Sequence, residues 1–185
     1  MNATETLRLA LDHFQQDDYA AAEQLLFGLL ETHPRNKDAL QLLGSVVAAQ
    51  GRFEEAALAW QQALPLVDPD SEEALALRYR LGRAFYEQGR YEDSFLLYRD
   101  LIEAGQERPE FFVAAAAALQ GMSPSGKNDG QALALLEEAL QRDPDVPGTW
   151  HRKAQLHERA GQWEAARECL RQVPLRLDDR AQYWL

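Results

Sequence analysis

One short stretch of the sequence carries the side chains best suited to recognising another molecule. Arg80, Arg83 and Glu87 follow one another at spacings of three and four residues, so on a helix they share one face. Tyr79 and Tyr86 flank them. A guanidinium presents a planar fork that matches a carboxylate, and tyrosine adds contact area with a polar tip. The pattern predicts an anchor for an acidic side chain or a C-terminal carboxylate, but the arginines could instead simply pair with nearby acidic residues such as Glu87 or Glu110.

Residues that could support catalysis or hold a metal are scattered along the chain. The four histidines, at positions 13, 33, 151 and 157, form no HExxH motif, and the single cysteine, Cys169, excludes a CxxC pair. The segment SPSGKNDG at 123–130 lacks the preceding strand and the spacing of a phosphate-binding loop. We therefore expect no catalytic activity, no metal and no cofactor.

The charge balance narrows the classes of partner. Lys and Arg total 19 against 30 Asp and Glu, which gives a formal net charge of −11. A general nucleic-acid binder needs the opposite sign, so nucleic acid is not expected as a partner. No apolar run approaches the roughly 18 residues of a membrane helix, and the start MNATETLRLALDHF does not resemble a signal peptide. These features predict a soluble, cytoplasmic protein without membrane insertion.

The elements that must position the arginines are helices. Ala, Leu, Gln, Glu and Arg dominate, and apolar residues recur at helical spacings, as in Leu40, Leu43 and Val47. One short sequence pattern, which we call the corner, occurs three times, as AQGRFEEAA at 49–57, EQGRYEDSF at 87–95 and RAGQWEAAR at 159–167. In each, a glycine ends one helix, an acidic residue lies in the first turn of the next, and the aromatic between them is expected to fill the elbow.

Small residues recur with a fixed period on both helices that meet at these corners. The recurrence interval is 34 or 38 residues, and the extra helical turn falls near 68–74 and within 121–130. The first series is Ala10, Gly44, Gly82, Ala116 and Ala154, and the second is Ala22, Ala56, Ser94, Ala132 and Ala166. The period predicts an array of helix hairpins in which each repeat contacts its neighbours.

The residues at these positions resemble the tetratricopeptide repeat family, of the bacterial type. LQLLGSVVAAQGRFEEAALAWQQAL at 40–64 and RYRLGRAFYEQGRYEDSFLLYRDL at 78–101 follow the family pattern closely, and 149–170 follows it well. Residues 5–34 follow it less closely, with Asp17 where glycine is usual. The resemblance implies an all-α, right-handed α-solenoid of about five hairpins in a single array over 1–185. The expected repeats are about 3–36, 37–70, 75–108, 109–146 and 147–180, with 181–185 as the start of a sixth repeat or a cap.

In this family the first helix of each hairpin lines a concave groove that binds extended peptides or helices. Carried over position by position, this places nine candidate side chains in the groove: Arg8, Gln41, Ser45, Tyr79, Arg80, Arg83, Tyr86, Arg152 and Gln155. The family's carboxylate clamp for chaperone tails needs asparagines that are missing here, so that clamp is not expected. The run VAAAAAL at 113–119 is better explained by tight helix packing than by an apolar pocket.

The function expected from the resemblance is a protein-interaction scaffold or adaptor with a protein or peptide partner. Two alternatives remain open at this point: an N-terminal accessory domain of a larger bacterial enzyme, of the sulfotransferase, methyltransferase or glycosyltransferase type, or a secretion chaperone. An apolar C-terminal end left uncovered at Tyr183 and Trp184 would also allow self-association.

Overall fold

Residues 2–173 of the chain are described by a computed structural model, and within them all regular structure is helical, as predicted. The sixth-repeat start expected at 181–185 lies outside the described residues. The helices are α1 (Ala3–Gln15), α2 (Tyr19–Thr32), α3 (Lys37–Ala49), α4 (Phe53–Ala63), α5 (Glu72–Glu87), α6 (Tyr91–Glu103), α7 (Pro109–Met122), α8 (Asp129–Arg142), α9 (Thr149–Arg159) and α10 (Trp163–Arg171). We call the odd-numbered helices the first helices and the even-numbered ones the second helices of their hairpins.

The chain divides into two compact units. Unit 1 ends at Arg90 and contains α1 to α5, and unit 2 begins at Tyr91 and contains α6 to α10. In unit 1 the hairpins α1/α2 and α3/α4 are joined by packing of α2 on α3, and α4 packs on α5. In unit 2 α6 packs on α7, and the hairpins α7/α8 and α9/α10 meet where α8 contacts α9. Within each unit, successive helices therefore bury the apolar faces of their neighbours.

Polar side chains fix where several helices begin. Asn2, Asp18, Asn36 and Ser71 each accept a hydrogen bond from the backbone N–H three residues later, at 2.8–3.3 Å. These are the short polar residues that satisfy the unpaired amides at a helix N-terminus. Pro109 instead occupies the first turn of α7, where its missing N–H costs nothing.

The repeated corner adopts the backbone that its sequence predicts. Gly51, Gly89 and Gly161 have φ angles of 76°, 73° and 70°, the left-handed conformation in which glycine carries no steric penalty. Asp17 takes the same place in the first hairpin with φ 58°, the only non-glycine residue with positive φ between 2 and 173. The first elbow therefore has the same geometry at a higher conformational cost.

Both series of small residues lie where helices approach most closely. Every member of the two series is buried, which confirms the period inferred from the sequence. Gly44 shows why size matters, because a Cβ on it would lie 2.3 Å from Nε1 of Trp60. The two extra turns also fall near the expected places: a 3-10 turn at Leu64–Leu66 precedes the 16-residue α5, and turns follow α7 after Met122.

The elbow aromatics do not all behave as expected. The Tyr91 ring packs on Gly121 of the following helix α7, where an added Cβ would lie 2.5–2.7 Å from ring atoms. Trp163, at the equivalent position, is 64% exposed, so the prediction that it fills its own elbow was wrong. Tyr91 shows the physical reason, because its ring contacts the helix that follows its own hairpin.

Ser94 offers a test of the small-residue series. Its side chain is fully buried, and its Oγ has no hydrogen-bond partner within residues 2–173, whereas the other four members are alanine. We expect Ser94→Ala to raise the free energy of unfolding by about 1 kcal/mol, because it removes a desolvated hydroxyl and improves helix propensity. Chemical denaturation measures this change, and a loss of stability would show that the hydroxyl is satisfied.

Candidate interaction face on the first helices

A network of polar side chains joins the first helices of unit 1. Lys37 Nζ donates to both carboxylate oxygens of Glu73 at 2.6 and 2.8 Å, and Gln41 Nε2 donates to Glu73 Oε1 at 2.6 Å. These bonds lower the pKa of Glu73, the Lys37 bond most strongly. Helix α1 contacts α3 in turn, so α1, α3 and α5 lie side by side. We call the surface formed by Arg8, Gln41, Ser45, Tyr79, Arg80, Arg83 and Tyr86 on these three helices the first-helix face of unit 1.

The two predicted residues on α3 are held in place by neighbouring atoms. Ser45 Oγ donates to the backbone oxygen of Gln41 at 3.1 Å. The Gln41 side chain is engaged by Glu73, so it fixes the spacing of α3 and α5 and offers less to a partner than expected. Lys37 and Glu73 were not among the predicted residues. Their separation of 36 positions, close to one repeat, is the signal in the sequence that could have revealed them.

Helix α5 brings the predicted arginines and tyrosines to the same face. Arg80 and Arg83 are exposed, while Tyr79 and Tyr86 are half-buried. Tyr79, Arg83 and Tyr86 each make an interaction within the protein, whereas no ion pair with a residue between 2 and 173 engages Arg80. Glu110, one candidate for neutralising the arginines, is paired with Arg108 at 2.7 Å. Arg80 is therefore an exposed cation on α5 for which the described residues supply no ion-pair partner.

The other three predicted residues lie on α1 and α9. On α1, Arg8 approaches Asp12 at 3.9 Å with 68% of its side chain exposed, a weak surface pair. On α9 in unit 2, Arg152 Nη1 donates to Gln120 Oε1 on α7 at 3.3 Å, and Gln155 Nε2 lies 3.0 Å from His151 Nε2. The predicted residues thus fall into two separate groups, one in each unit.

Other segments singled out in the sequence have structural roles. In the run at 113–119, residues 115–119 are buried and only Val113 and Ala114 are partly accessible, so the run packs helices. Cys169 is buried, and burial raises the pKa of its thiol. In the 123–130 loop, Ser123 Oγ accepts a hydrogen bond from the backbone N–H of Lys127 at 3.1 Å, which closes the loop on itself. No cluster of residues within 2–173 could hold a metal ion.

The junction between the first two hairpins contains a cluster of ion pairs around one arginine. Arg52, at the elbow of α3/α4, binds both carboxylate oxygens of Glu23 on α2 at 2.7 and 2.9 Å. It also binds Glu55 through two nitrogens. Bonding to Arg52 is the main cause that lowers the pKa of both Glu23 and Glu55. The fork geometry of arginine allows one side chain to join three elements.

This junction predicts a dependence of stability on pH. A carboxylate whose folded pKa is lowered stabilises the fold above its unfolded pKa, near 4.5, and loses that contribution as the pH falls through the folded value. Arg52→Met should lower the melting temperature at pH 7, and the difference from the unsubstituted protein should shrink below about pH 4.5. Melting curves at pH 7 and pH 3.5 test this. The exposed Arg35→Met is the matched control, and an Arg52→Met deficit that does not depend on pH would contradict the assignment.

Sequence comparison decides the family. A tetratricopeptide repeat model matches residues 7–72 and 68–109, which together make up more than half of the chain, and a second tetratricopeptide repeat model matches 130–185. The chain belongs to the tetratricopeptide repeat family. Between these matches lie residues 110–129, which contain the second inserted turn.

Solved tetratricopeptide proteins share the fold of this chain. MamA 41-end from Desulfovibrio magneticus RS-1 superimposes with a TM-score of 0.79 at 15% identity, covering 92% of each chain. YrrB, described as a TPR protein with an unusual peptide-binding site, superimposes with a TM-score of 0.71 at 15% identity, covering 99% of this chain and 90% of that one. Both likenesses confirm the tetratricopeptide solenoid fold.

Among curated proteins, the DnaJ homolog subfamily C member 7 homolog of Schizosaccharomyces pombe is 26% identical over 164 residues. The match covers 82% of this chain and 33% of that protein, so the chain spans about a third of its length. Tetratricopeptide arrays of this kind generally act as scaffolds for protein partners, without catalytic activity of their own. No helix within residues 2–173 is long and apolar enough to cross a bilayer.

Proposed function

We propose that this tetratricopeptide array is a non-enzymatic adaptor that holds an extended or helical segment of a partner protein on the first-helix face of unit 1. The observation that carries the proposal is Arg80, an exposed arginine on the same face of α5 as Tyr79, Arg83 and Tyr86. The partner's segment supplies a carboxylate, from an acidic side chain or a free C-terminus. A charged hydrogen-bonded pair of this kind is what arginine forms best.

The neighbouring helix leaves room for such a segment. Lys37, Gln41 and Glu73 fix α3 and α5 side by side, and Gln41 bonds to Glu73 across 32 positions. The two bonds to Glu73 span 36 and 32 positions, so the part of α3 level with Arg80 lies between Gly44 and Ala48. The side chains of this stretch are short, so a partner's backbone can approach the guanidinium closely.

A peptide selection tests the proposal. Random peptides with free or amidated C-termini are selected on the intact 185-residue chain, and the affinities of the enriched peptides are measured. We expect enrichment of carboxylate-bearing peptides, with binding weakened about tenfold or more in Arg80→Glu/Arg83→Glu, since the charge-assisted contact of Arg80 becomes repulsive and a second positive charge on the same helix face is reversed. The matched control is Arg35→Glu/Arg99→Glu, which makes the same change in net charge at exposed positions off this face. Equal affinities for the two double variants would reject the site.

A further inference from the structure

Helix α1 exposes a leucine on the first-helix face of unit 1. Leu11 lies three residues after Arg8, so the two side chains share one face of α1. It also lies 34 positions, one repeat, before Ser45 on α3. Leu11 is 42% exposed, which is unusual for a large apolar side chain in this molecule. The face that carries Arg80 at one edge therefore offers an accessible apolar side chain at the other.

The exposure of Leu11 comes from its position in the repeat, because the equivalent residues of the next two hairpins are also accessible. Ser45 on α3 has a first helix on each side and is still only half-buried. Arg83, 38 positions after Ser45, is exposed on α5. This position thus faces outward in every hairpin of unit 1, and its side chain changes from leucine through serine to arginine across the face.

Helix α3 forms an uncharged path between the two edges of the face. No Asp, Glu, Lys or Arg occurs at positions 39–51. Leu42, Ser45 and Ala48 follow one another at spacings of three, and all three are half-buried. A partner segment that crosses α3 therefore meets short or apolar side chains and no charge.

The charges on α1 and α5 give the face a direction. On α5, the exposed Arg80 has no ion-pair partner among the described residues. On α1, the Arg8 guanidinium approaches the Asp12 carboxylate at 3.9 Å, so the two charges on either side of Leu11 offset each other. Charge complementarity therefore favours a partner's carboxylate at the α5 edge, whereas the α1 edge offers an apolar contact.

We infer that the bound segment is extended and carries an apolar side chain about five or six residues from its carboxylate, with the apolar side chain on Leu11 and the carboxylate on Arg80. Packed helices lie about 8–10 Å apart, so two such spacings place α1 and α5 about 16–20 Å from each other. An extended chain advances about 3.3 Å per residue, which sets the separation of the two side chains. This inference rests on the proposed function and adds a second recognition element to it.

Peptides that carry a single carboxylate test the inference on the intact 185-residue chain. In one library the free C-terminus is the only carboxylate, and in the other an amidated peptide has one central aspartate; all other positions are randomised without Asp or Glu. We expect Leu, Ile, Met or Phe to be enriched about five or six residues from the carboxylate in the library that binds. Replacing that residue by serine in an enriched peptide should weaken binding about tenfold, since one buried apolar side chain is lost.

A double-mutant cycle assigns this effect to Leu11. Leu11→Gln removes the apolar contact and keeps a side chain that favours the helix. On this variant the enriched peptide and its serine analogue should bind with nearly equal affinity. The matched control is Leu58→Gln, which makes the same change at a leucine that is 53% exposed on the second helix α4. This control should keep the tenfold difference between the two peptides.

Two results would overturn the inference and leave the carboxylate site on α5 standing. The first is selection of carboxylate peptides without an apolar residue at this spacing, and the second is a tenfold difference that persists in Leu11→Gln. A different result would reject the proposed function itself. If the asparagine or amide analogues of the enriched peptides bind the unsubstituted chain as well as the carboxylate forms do, the face does not recognise a carboxylate.

Discussion

Leu136→Ala is expected to lower the free energy of unfolding by about 2–5 kcal/mol, one of the two largest single-residue effects anticipated here. Leu136 on α8 is fully buried in a cluster with Ala116 and Leu119 of α7 and Leu156 of α9. The substitution leaves a cavity at the point where one hairpin packs on the next. Because each repeat is stabilised through its neighbours, loss of this contact weakens both hairpins of unit 2.

The matched control for this cavity is Leu96→Ala on the second helix α6, where the leucine is 37% exposed. The chemical change is the same, but little packing is lost, so a change within about 1 kcal/mol is expected. Urea denaturation followed by far-ultraviolet circular dichroism measures both variants. Similar losses in the two variants would mean that the α7/α8/α9 cluster does not hold the hairpins of unit 2 together.

Gly44→Ala is the second substitution with a large expected effect. The added Cβ would lie 2.3–2.7 Å from three atoms of the Trp60 indole, which is buried and donates its Nε1–H to the backbone oxygen of Gln41 at 3.2 Å. The ring cannot withdraw without breaking that bond, so the clash should cost about 1–3 kcal/mol despite the better helix propensity of alanine.

Gly28→Ala makes the same chemical change in the middle of α2, where nothing lies within 4 Å of the new Cβ. Only the propensity gain remains there, so this variant should be more stable than the unsubstituted protein by about 1 kcal/mol. Thermal melts at low protein concentration compare the two. If both substitutions stabilise, Gly44 and Trp60 are not packed as described.

The elbow conformations and the positions of the small buried residues could be predicted from the sequence. Gly51, Gly89 and Gly161 take left-handed backbone at the expected elbows, because few other residues adopt it without strain. The buried series that includes Ala22 and Ala166 follows from the period alone, because close helix approach at a fixed repeat requires a small side chain.

Features that depend on contacts between repeats were harder to predict. Trp163 has the same local sequence context as Tyr91, yet it is exposed, since its packing partner would come from another hairpin. Gln41 was assigned to partner binding, but its amide is taken up by Glu73 from the neighbouring first helix. In the candidate site, helical spacing alone groups the residues, whereas their individual partners, such as Glu73 for Gln41, depend on the register of α3 against α5. Cytoplasmic location, bacterial origin and a role within a larger enzyme stay predictions.

Site-specific photo-cross-linking of a selected peptide distinguishes a partner on the first helices from one on the second helices. A benzophenone side chain is placed at Ser45 on the first-helix face of unit 1, and in a second protein at Leu58 on the second helix α4. We expect the peptide to cross-link to the chain carrying the label at position 45, and unlabelled peptide in excess to suppress this product. Capture at position 58 with none at position 45 would contradict it, because the partner would then lie on the second helices.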